Sequence, residues 1–229
     1  MDKIIVFLPC RKGSERVKHK NIKDFTDIEG GLIYIKLSQL VAVDEISTII
    51  VSTNDEEVKR VARSFNNRKI VIDDRSEELA SSSTSTDDLI SYIPSIIDRG
   101  TVLWTHVTSP FINATKYRDI IHSYHKALDE GYDSLMTVTH IYGFLWNKSK
   151  PINYNRKIEK WPRTQTIEPV NEVNSGVFLS SIENYRKFSD RIGINPYLKP
   201  LDKITSFDID WEEDFLLAEC ILNSKIGHI

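Results

Sequence analysis

The chain has 229 residues, 40% hydrophobic and 28% charged, a length and balance that fit one domain below the usual single-core limit of roughly 250 residues and exclude disorder. Lys and Arg number 30 against 33 Asp and Glu, so the net charge of -3 gives no general attraction to nucleic acid or an anionic membrane, and any phosphate site must be local. Cys10 and Cys220 form no disulfide framework, and the apolar run from Ile4 to Leu8 stops at Pro9, too short for a signal-peptide core or a membrane span of about 20 residues. The expected setting is the cytoplasm, with neither nucleic acid nor membrane as a partner.

Short runs rich in β-branched residues predict strands over 3–8, 47–51, 69–72, 101–105 and 133–138; continuous apolar runs of this kind suit a parallel sheet covered on both faces. Between them, Leu32, Ile33, Ile35, Leu37, Leu40 and Val41 make an apolar stripe on a helix over 32–43. Helices over 55–65, 86–97 and 115–130 follow, each preceded by side chains able to cap a first turn. The steady period fails between about 141 and 174, where Gly143, Trp146, Pro151, Trp161, Pro162 and Pro169 fall, and an insertion is expected there. Regular structure resumes with a strand over 176–179, a short helix over 182–188, a strand ending at Asp208 and a final helix over 211–222. The order predicts an open α/β sheet.

The segment after the first strand carries Arg11, Lys12, Arg16, Lys18 and Lys20 against one acid, Glu15. It falls where ligands bind in such sheets, beyond the carboxyl ends of the strands. With a turn at Gly13-Ser14 and the Asn21 amide it can hold a triphosphate, or it can be a solvated basic loop. Neither a Walker A loop nor a GxGxxG fingerprint is present.

Leu8-Pro9-Cys10-Arg11-Lys12-Gly13-Ser14-Glu15-Arg16 followed by Lys20-Asn21 resembles the signature of the acylneuraminate cytidylyltransferase family, which makes CMP-sialic acids and related sugars. The resemblance extends in family order from residue 3 to about 222. It implies Arg11, Ser14, Lys20 and Asn21 as triphosphate contacts, with Arg11 and Lys20 stabilising charge during the reaction. Cys10 replaces a frequent Ala and reads as a packing residue.

Arg75, before the Leu79-Ala80 pair and the Ser/Thr run that includes Thr84 and Thr86, falls where the family contacts the nucleotide; Arg75 is the candidate reader of cytosine, unless this segment is only a polar loop. Val107-Thr108-Ser109-Pro110-Phe111 resembles the family turn beside the acceptor sugar, which implies Thr108 and Ser109 as contacts. His106 stands where sialic acid enzymes usually carry Gln, and serves either as an acceptor contact or as a core hydrogen-bonding group. Trp161-Pro162-Arg163-Thr164-Gln165 resembles a family stretch near the sugar and the dimer interface; Arg163 can bind a carboxylate or stack on Trp161, and the resemblance implies Gln165 as a further substrate contact. Asn174-Ser175-Gly176-Val177-Phe178 looks like a variant of another family segment, with Glu172 where sialic acid enzymes often have Arg.

Near the end, Ser206-Phe207-Asp208-Ile209-Asp210, read as a strand, puts the Asp208 and Asp210 side chains on one face, suited to Mg2+. Asp210 can also cap the final helix with Glu213. The resemblance identifies Asp208 and Asp210 as the family's metal site and Asp210 as catalytic. It implies a Rossmann-like, mixed and mostly parallel sheet flanked by helices, with a dimerisation segment inserted at about 141–174 in one nucleotidyltransferase domain over 1–229. The implied reaction is transfer of CMP from CTP to the anomeric hydroxyl of an acidic 2-keto-3-deoxy sugar, with release of pyrophosphate, by a homodimer. A metal-dependent glycosyltransferase and a non-catalytic nucleotide-binding protein are the alternatives.

Overall fold

A computed structural model describes residues 3–229. Seven strands form one sheet in the order β3-β2-β1-β4-β6-β5-β7, where β1 is Ile4–Pro9, β2 Ile46–Thr53, β3 Ile70–Asp74, β4 Thr101–Thr105, β5 Ser134–Ile141, β6 Val170–Ser181 and β7 Pro196–Leu201. Pairings are parallel except the two that β6 makes, with β4 and with β5. The sheet is therefore mixed and mostly parallel, as the family resemblance implies, whereas the apolar runs alone suited an all-parallel sheet.

The helices are α1 Gly31–Val41, α2 Glu56–Ser64, α3 Glu77–Ala80, α4 Thr86–Ile96, α5 Ala114–Asp129, α6 Ile182–Phe188 and α7 Glu212–Asn223. Their starts follow from local chemistry. Asp55 accepts from the Glu57 amide, Asn113 accepts from the Lys116 amide, and Ser85 and Asp88 satisfy each other's backbone N–H, which is a capping box. At α1 the start is conformational: the N-cap Gly30 has φ +80° and Gly31 φ +60°, and a Cβ on Gly31 would strike the Lys23 carbonyl, so glycine is needed there.

Two apolar clusters sandwich the sheet. One joins Leu32, Leu37 and Leu40 of α1 with Ile120, Ile121 and Phe215; the other joins Phe7, Trp104 and Phe178 with Ile90, Ile93 and Tyr185. Going outward from β1, the strand order runs to β2 and β3 on one side and to β4 on the other. That reversal makes the carboxyl ends of β1 and β4 the topological switch point, where open α/β sheets leave a crevice.

The last strand lies earlier than the sequence indicates. It is Pro196–Leu201, and 205–210 contains no strand. Asp202 ends β7 by accepting from the Ile204 and Thr205 amides and from the Thr205 hydroxyl, a local turn that competes with further pairing. The four-residue helix α3 is also absent from the periodic pattern, being too short to show a period. Strand β6 is longer than 176–179, because 170–173 pairs with β5 (Ile141↔Val170, Val138↔Val173); the irregular stretch is 142–169.

Candidate active site

The switch point is built from three loops. After β1 the chain turns away with the Cys10 amide on the Ser52 carbonyl (2.9 Å) and the Lys12 amide on Asn54 Oδ1 (2.9 Å). Asn21 closes this basic loop: its Nδ2 donates to the Arg11 carbonyl (3.2 Å), while its own carbonyl accepts from Ile33 in α1 (2.9 Å). The loop is thereby tied at both ends to regular structure, and its cations cannot disperse into solvent as they would on a free loop.

Two adjoining cavities, of about 370 and 390 Å³, flank this loop. Four residues, Arg11, Ser14, Lys20 and Asn21, line both. These are the four triphosphate contacts expected from the sequence. The first cavity is closed by Asp55, Glu56 and Glu57 at the start of α2, the second by His106 and Thr108 after β4.

The third loop is 205–210. Ile209 is fully buried, and its amide donates to the Thr108 carbonyl (2.9 Å), which fixes the carboxylates on either side of it. Lys20 Nζ donates to the Ile209 carbonyl (2.8 Å) and lies 3.9 Å from Asp210 Oδ1. Burial pulls the Lys20 ammonium below the ordinary lysine range, opposed by Asp210 and Asp208. Burial pushes the Asp208 carboxyl up, opposed by a hydrogen bond from Thr108 and by Lys20. Asp210 is half exposed; Arg16 Nη2 reaches it at 2.8 Å and stacks over Trp211.

Two expectations about this segment need correction. Asp208 and Asp210 do not share the face of a strand, because the segment is irregular and hangs on the buried Ile209. Nor does Asp210 pair with Glu213 to cap α7: Asp214 Oδ2 accepts from the backbone amides of Asp210 (3.0 Å) and Trp211 (2.8 Å). The Asp210 side chain is therefore not engaged by the cap. Among the described residues no three His, Cys, Asp or Glu side chains group to hold a metal, so the protein brings a pair of carboxylates here rather than a cage.

The matching family is described as cytidylyltransferase, over residues 5–219. The chain belongs to the cytidylyltransferase family. It is 26% identical, over 97% of its length, to an N-acylneuraminate cytidylyltransferase of Escherichia coli, of which it covers 53%, so it spans about half the length of that relative. It is 23% identical to a flagellin modification protein B of Campylobacter coli, covering 98% of this chain and 97% of that one. Among solved structures, a CMP-2-keto-3-deoxy-manno-octonic acid synthetase complexed with CTP superposes with a TM-score of 0.68 at 13% identity, covering 97% of this chain and 99% of the other. A 4-diphosphocytidyl-2C-methyl-D-erythritol synthase of Anaerococcus prevotii gives the same TM-score at 14% identity, covering 97% and 96%. At such identities the structural likeness carries the Rossmann-like α/β fold.

The remaining expected residues fall into two groups. Arg75 is buried beside Cys10 and Asp73, and among the described residues its Nε and Nη2 have no partner. Asp73 does not serve it, being occupied by the Ser52 hydroxyl (2.6 Å) and the Tyr92 hydroxyl (2.8 Å). Such a guanidinium, whose pKa burial lowers, costs stability until a ligand accepts from it. Cys10 is buried and its thiol is pushed up to about 12, so it packs and supplies no thiolate.

Arg75 itself lines neither cavity, and the rest lie away from both. Thr84 Oγ1 donates to the Glu78 carbonyl (3.0 Å), Thr86 opens α4, and neither lines a cavity wall. Ser109 is buried, with its carbonyl on Lys36 Nζ (2.8 Å). Arg163 and Gln165 are exposed in the inserted segment; the side chain that stacks on Trp161 is Arg156, not Arg163.

Two residues that the sequence did not single out bear on the site. Lys36 is fully buried in α1, where Nζ donates to the carbonyl of Ser109 (2.8 Å) and the hydroxyl of Tyr117 (2.8 Å), and so pins the turn after β4. Burial draws its pKa down to about 7. Arg191 lies just beyond α6, its Cζ 3.6 Å from the Phe178 ring centroid. A lysine inside an apolar stripe and an arginine in a turn carry no local signal, since only the tertiary fold gives them partners.

Proposed function

We propose that the chain transfers CMP from CTP to the anomeric hydroxyl of an acidic 2-keto-3-deoxy sugar, forming a CMP-sugar and releasing pyrophosphate in the cytoplasm. The observation that carries this reading is the wall of Arg11, Ser14, Lys20 and Asn21 common to two adjoining cavities. A ligand with a phosphate chain and two organic ends needs such a wall. The cations hold the triphosphate between a base on one side and an acceptor on the other.

In this reading Arg75 donates to cytosine, since its Nε and Nη2 are buried without partners among the described residues. Arg11 and Lys20 offset the charge that develops as pyrophosphate leaves. The acceptor enters over His106 and Thr108, and its hydroxyl attacks the α-phosphate in line. Asp208 and Asp210 are the residues that would hold Mg2+, which commonly takes one or two carboxylates and completes its shell with phosphate oxygens and water; a pair without a third ligand fits that habit. Bound there, Mg2+ would polarise the α-phosphate and lower the pKa of the hydroxyl. Asp210 exchanges its Arg16 contact for this role. The half-exposed pairing favours that exchange, because exposed ion pairs contribute little, about 0–1 kcal/mol.

Support from relatives is in their names: one is an N-acylneuraminate cytidylyltransferase and one a synthetase of CMP-2-keto-3-deoxy-manno-octonic acid. The exposed aromatic surface of 142–169 is assigned to contact with a second copy, which brings Arg163 and Gln165 near the neighbouring acceptor. Phosphorus NMR of a reaction with CTP and a sugar acid tests the chemistry. A phosphodiester resonance and pyrophosphate are expected. If CTP and the acid give neither product while a parallel reaction supplied with a nucleotide sugar releases its nucleotide, the glycosyltransferase alternative would be established.

A further inference from the structure

Helix α1 presents two buried polar side chains, Lys36 and Gln39, to the turn after β4. Three residues apart, they share one helical face. The Lys36 ammonium has three N–H bonds and three acceptors: the carbonyls of Ser109 (2.8 Å) and Ile112 (3.5 Å) and the hydroxyl of Tyr117 (2.8 Å). Tyr117 is free to accept because its own proton goes to Thr105, whose hydroxyl in turn donates to the Gly176 carbonyl (2.7 Å). Gln39 Nε2 donates to the Pro110 carbonyl (2.6 Å). Three carbonyls of the 109–112 turn are thus held from one face of α1.

Thr108 immediately precedes this turn and holds the 208–210 loop at two points. Its side chain donates to the Asp208 carboxylate, and its carbonyl accepts from the Ile209 amide (2.9 Å). At its other end α1 is fixed to the basic loop, where the Ile33 amide donates to the Asn21 carbonyl (2.9 Å). One helix therefore sets the separation between the wall of Arg11, Ser14, Lys20 and Asn21 and the Asp208 carboxylate. Burying an ammonium opposes folding, which is why the Lys36 pKa falls to about 7. A side chain kept against stability is expected where function uses it.

We propose that Lys36 is a positioning residue for the metal-binding carboxylate: it clamps the 109–112 turn so that Thr108 presents Asp208 to a divalent cation bound with the triphosphate. This rests on the assignment of Asp208 and Asp210 proposed above. Lys36 lines neither cavity and acts only through Ser109, Thr108 and then Asp208. Removing a group that orients a metal ligand commonly weakens metal binding by about 10–100-fold.

The test is calorimetric binding of CTP, once in EDTA and once with Mn2+, without a sugar acid so that nothing turns over. The ratio of the two Kd values is the coupling between metal and nucleotide. Mn2+ is expected to tighten CTP binding to the wild type by about tenfold or more, and Lys36→Met to reduce that factor to about twofold while the Kd in EDTA stays within about twofold of the wild type. Gln39→Leu, which releases the Pro110 carbonyl from the same helical face, should lower the factor too and replaces Lys36→Met if that variant does not fold. Tyr117→Phe removes one Lys36 acceptor but leaves the Ser109 contact, and should keep the wild-type factor. A folded Lys36→Met protein, or failing that a Gln39→Leu protein, that keeps the wild-type factor would overturn the positioning role and leave the metal site standing. So would equal loss of CTP affinity with and without Mn2+, the result of general support for α1, or loss of the factor in Tyr117→Phe. A wild type whose CTP affinity ignores Mn2+ would overturn the metal site and the positioning role with it.

Discussion

Lys20 concentrates the account into one side chain. It is nearly buried, lines both cavities, and reaches the loop that carries Asp208 and Asp210. Its removal should damage transition-state stabilisation more than binding: Lys20→Met is expected to lower kcat by roughly 10²–10³, with CTP still bound by Arg11, Ser14 and Asn21. Steady-state kinetics beside calorimetric CTP binding checks this, and an unchanged kcat would remove Lys20 from the chemistry. Ile209 is the apolar counterpart. Truncation to Ala should cost about 2–5 kcal/mol in chemical denaturation, whereas Ile209→Val should cost about 0.5–1.5 kcal/mol. The Ala variant should also lose activity, because the Thr108 contact that registers both carboxylates depends on that anchor.

At the scale of elements, the basic loop was legible because its charge density and its place after β1 are both local properties, and the first five strands were legible from β-branched runs, with β6 legible only over 176–179. Asp208 and Asp210 were legible as a pair of acids but not in their arrangement. The turn at Asp202 consumes the backbone before a strand can form, and Asp214, one residue beyond Glu213, takes the cap. Lys36 is the clearest case of a residue hidden by its context: on a helical stripe it reads as a surface position, yet it fastens α1 to the turn after β4. Its titration predicts a sign. The unfolded lysine has a pKa of 10.5 and the folded one about 7, so between these values the unfolded state binds more protons and stability rises with pH. Relative to Lys36→Met, the wild type should gain at most about 1.4 kcal/mol per pH unit across that window. Denaturant titrations of both proteins from pH 7 to 10.5 measure it, and parallel profiles would contradict the assignment.

For the whole molecule, the inserted segment 142–169 exposes more apolar surface than a folded loop needs. Trp161, Ile158 and Trp146 are 62%, 85% and 44% exposed, and Phe144 meets Tyr154 and Trp161 edge to face. Patches of this kind mark contact surfaces. If that surface meets a second copy, Trp161→Glu should shift sedimentation from dimer to monomer and weaken acceptor turnover, since Arg163 and Gln165 lie outside the cavities of their own chain. A wild-type monomer with full activity would contradict it. Pyrophosphate release from CTP with Mg2+ is measured across a panel of 2-keto-3-deoxy sugar acids, with a no-acceptor control and the other nucleoside triphosphates. Release is expected to require both CTP and an acid sugar. Folded protein that binds CTP yet releases no pyrophosphate with any member of the panel would contradict it.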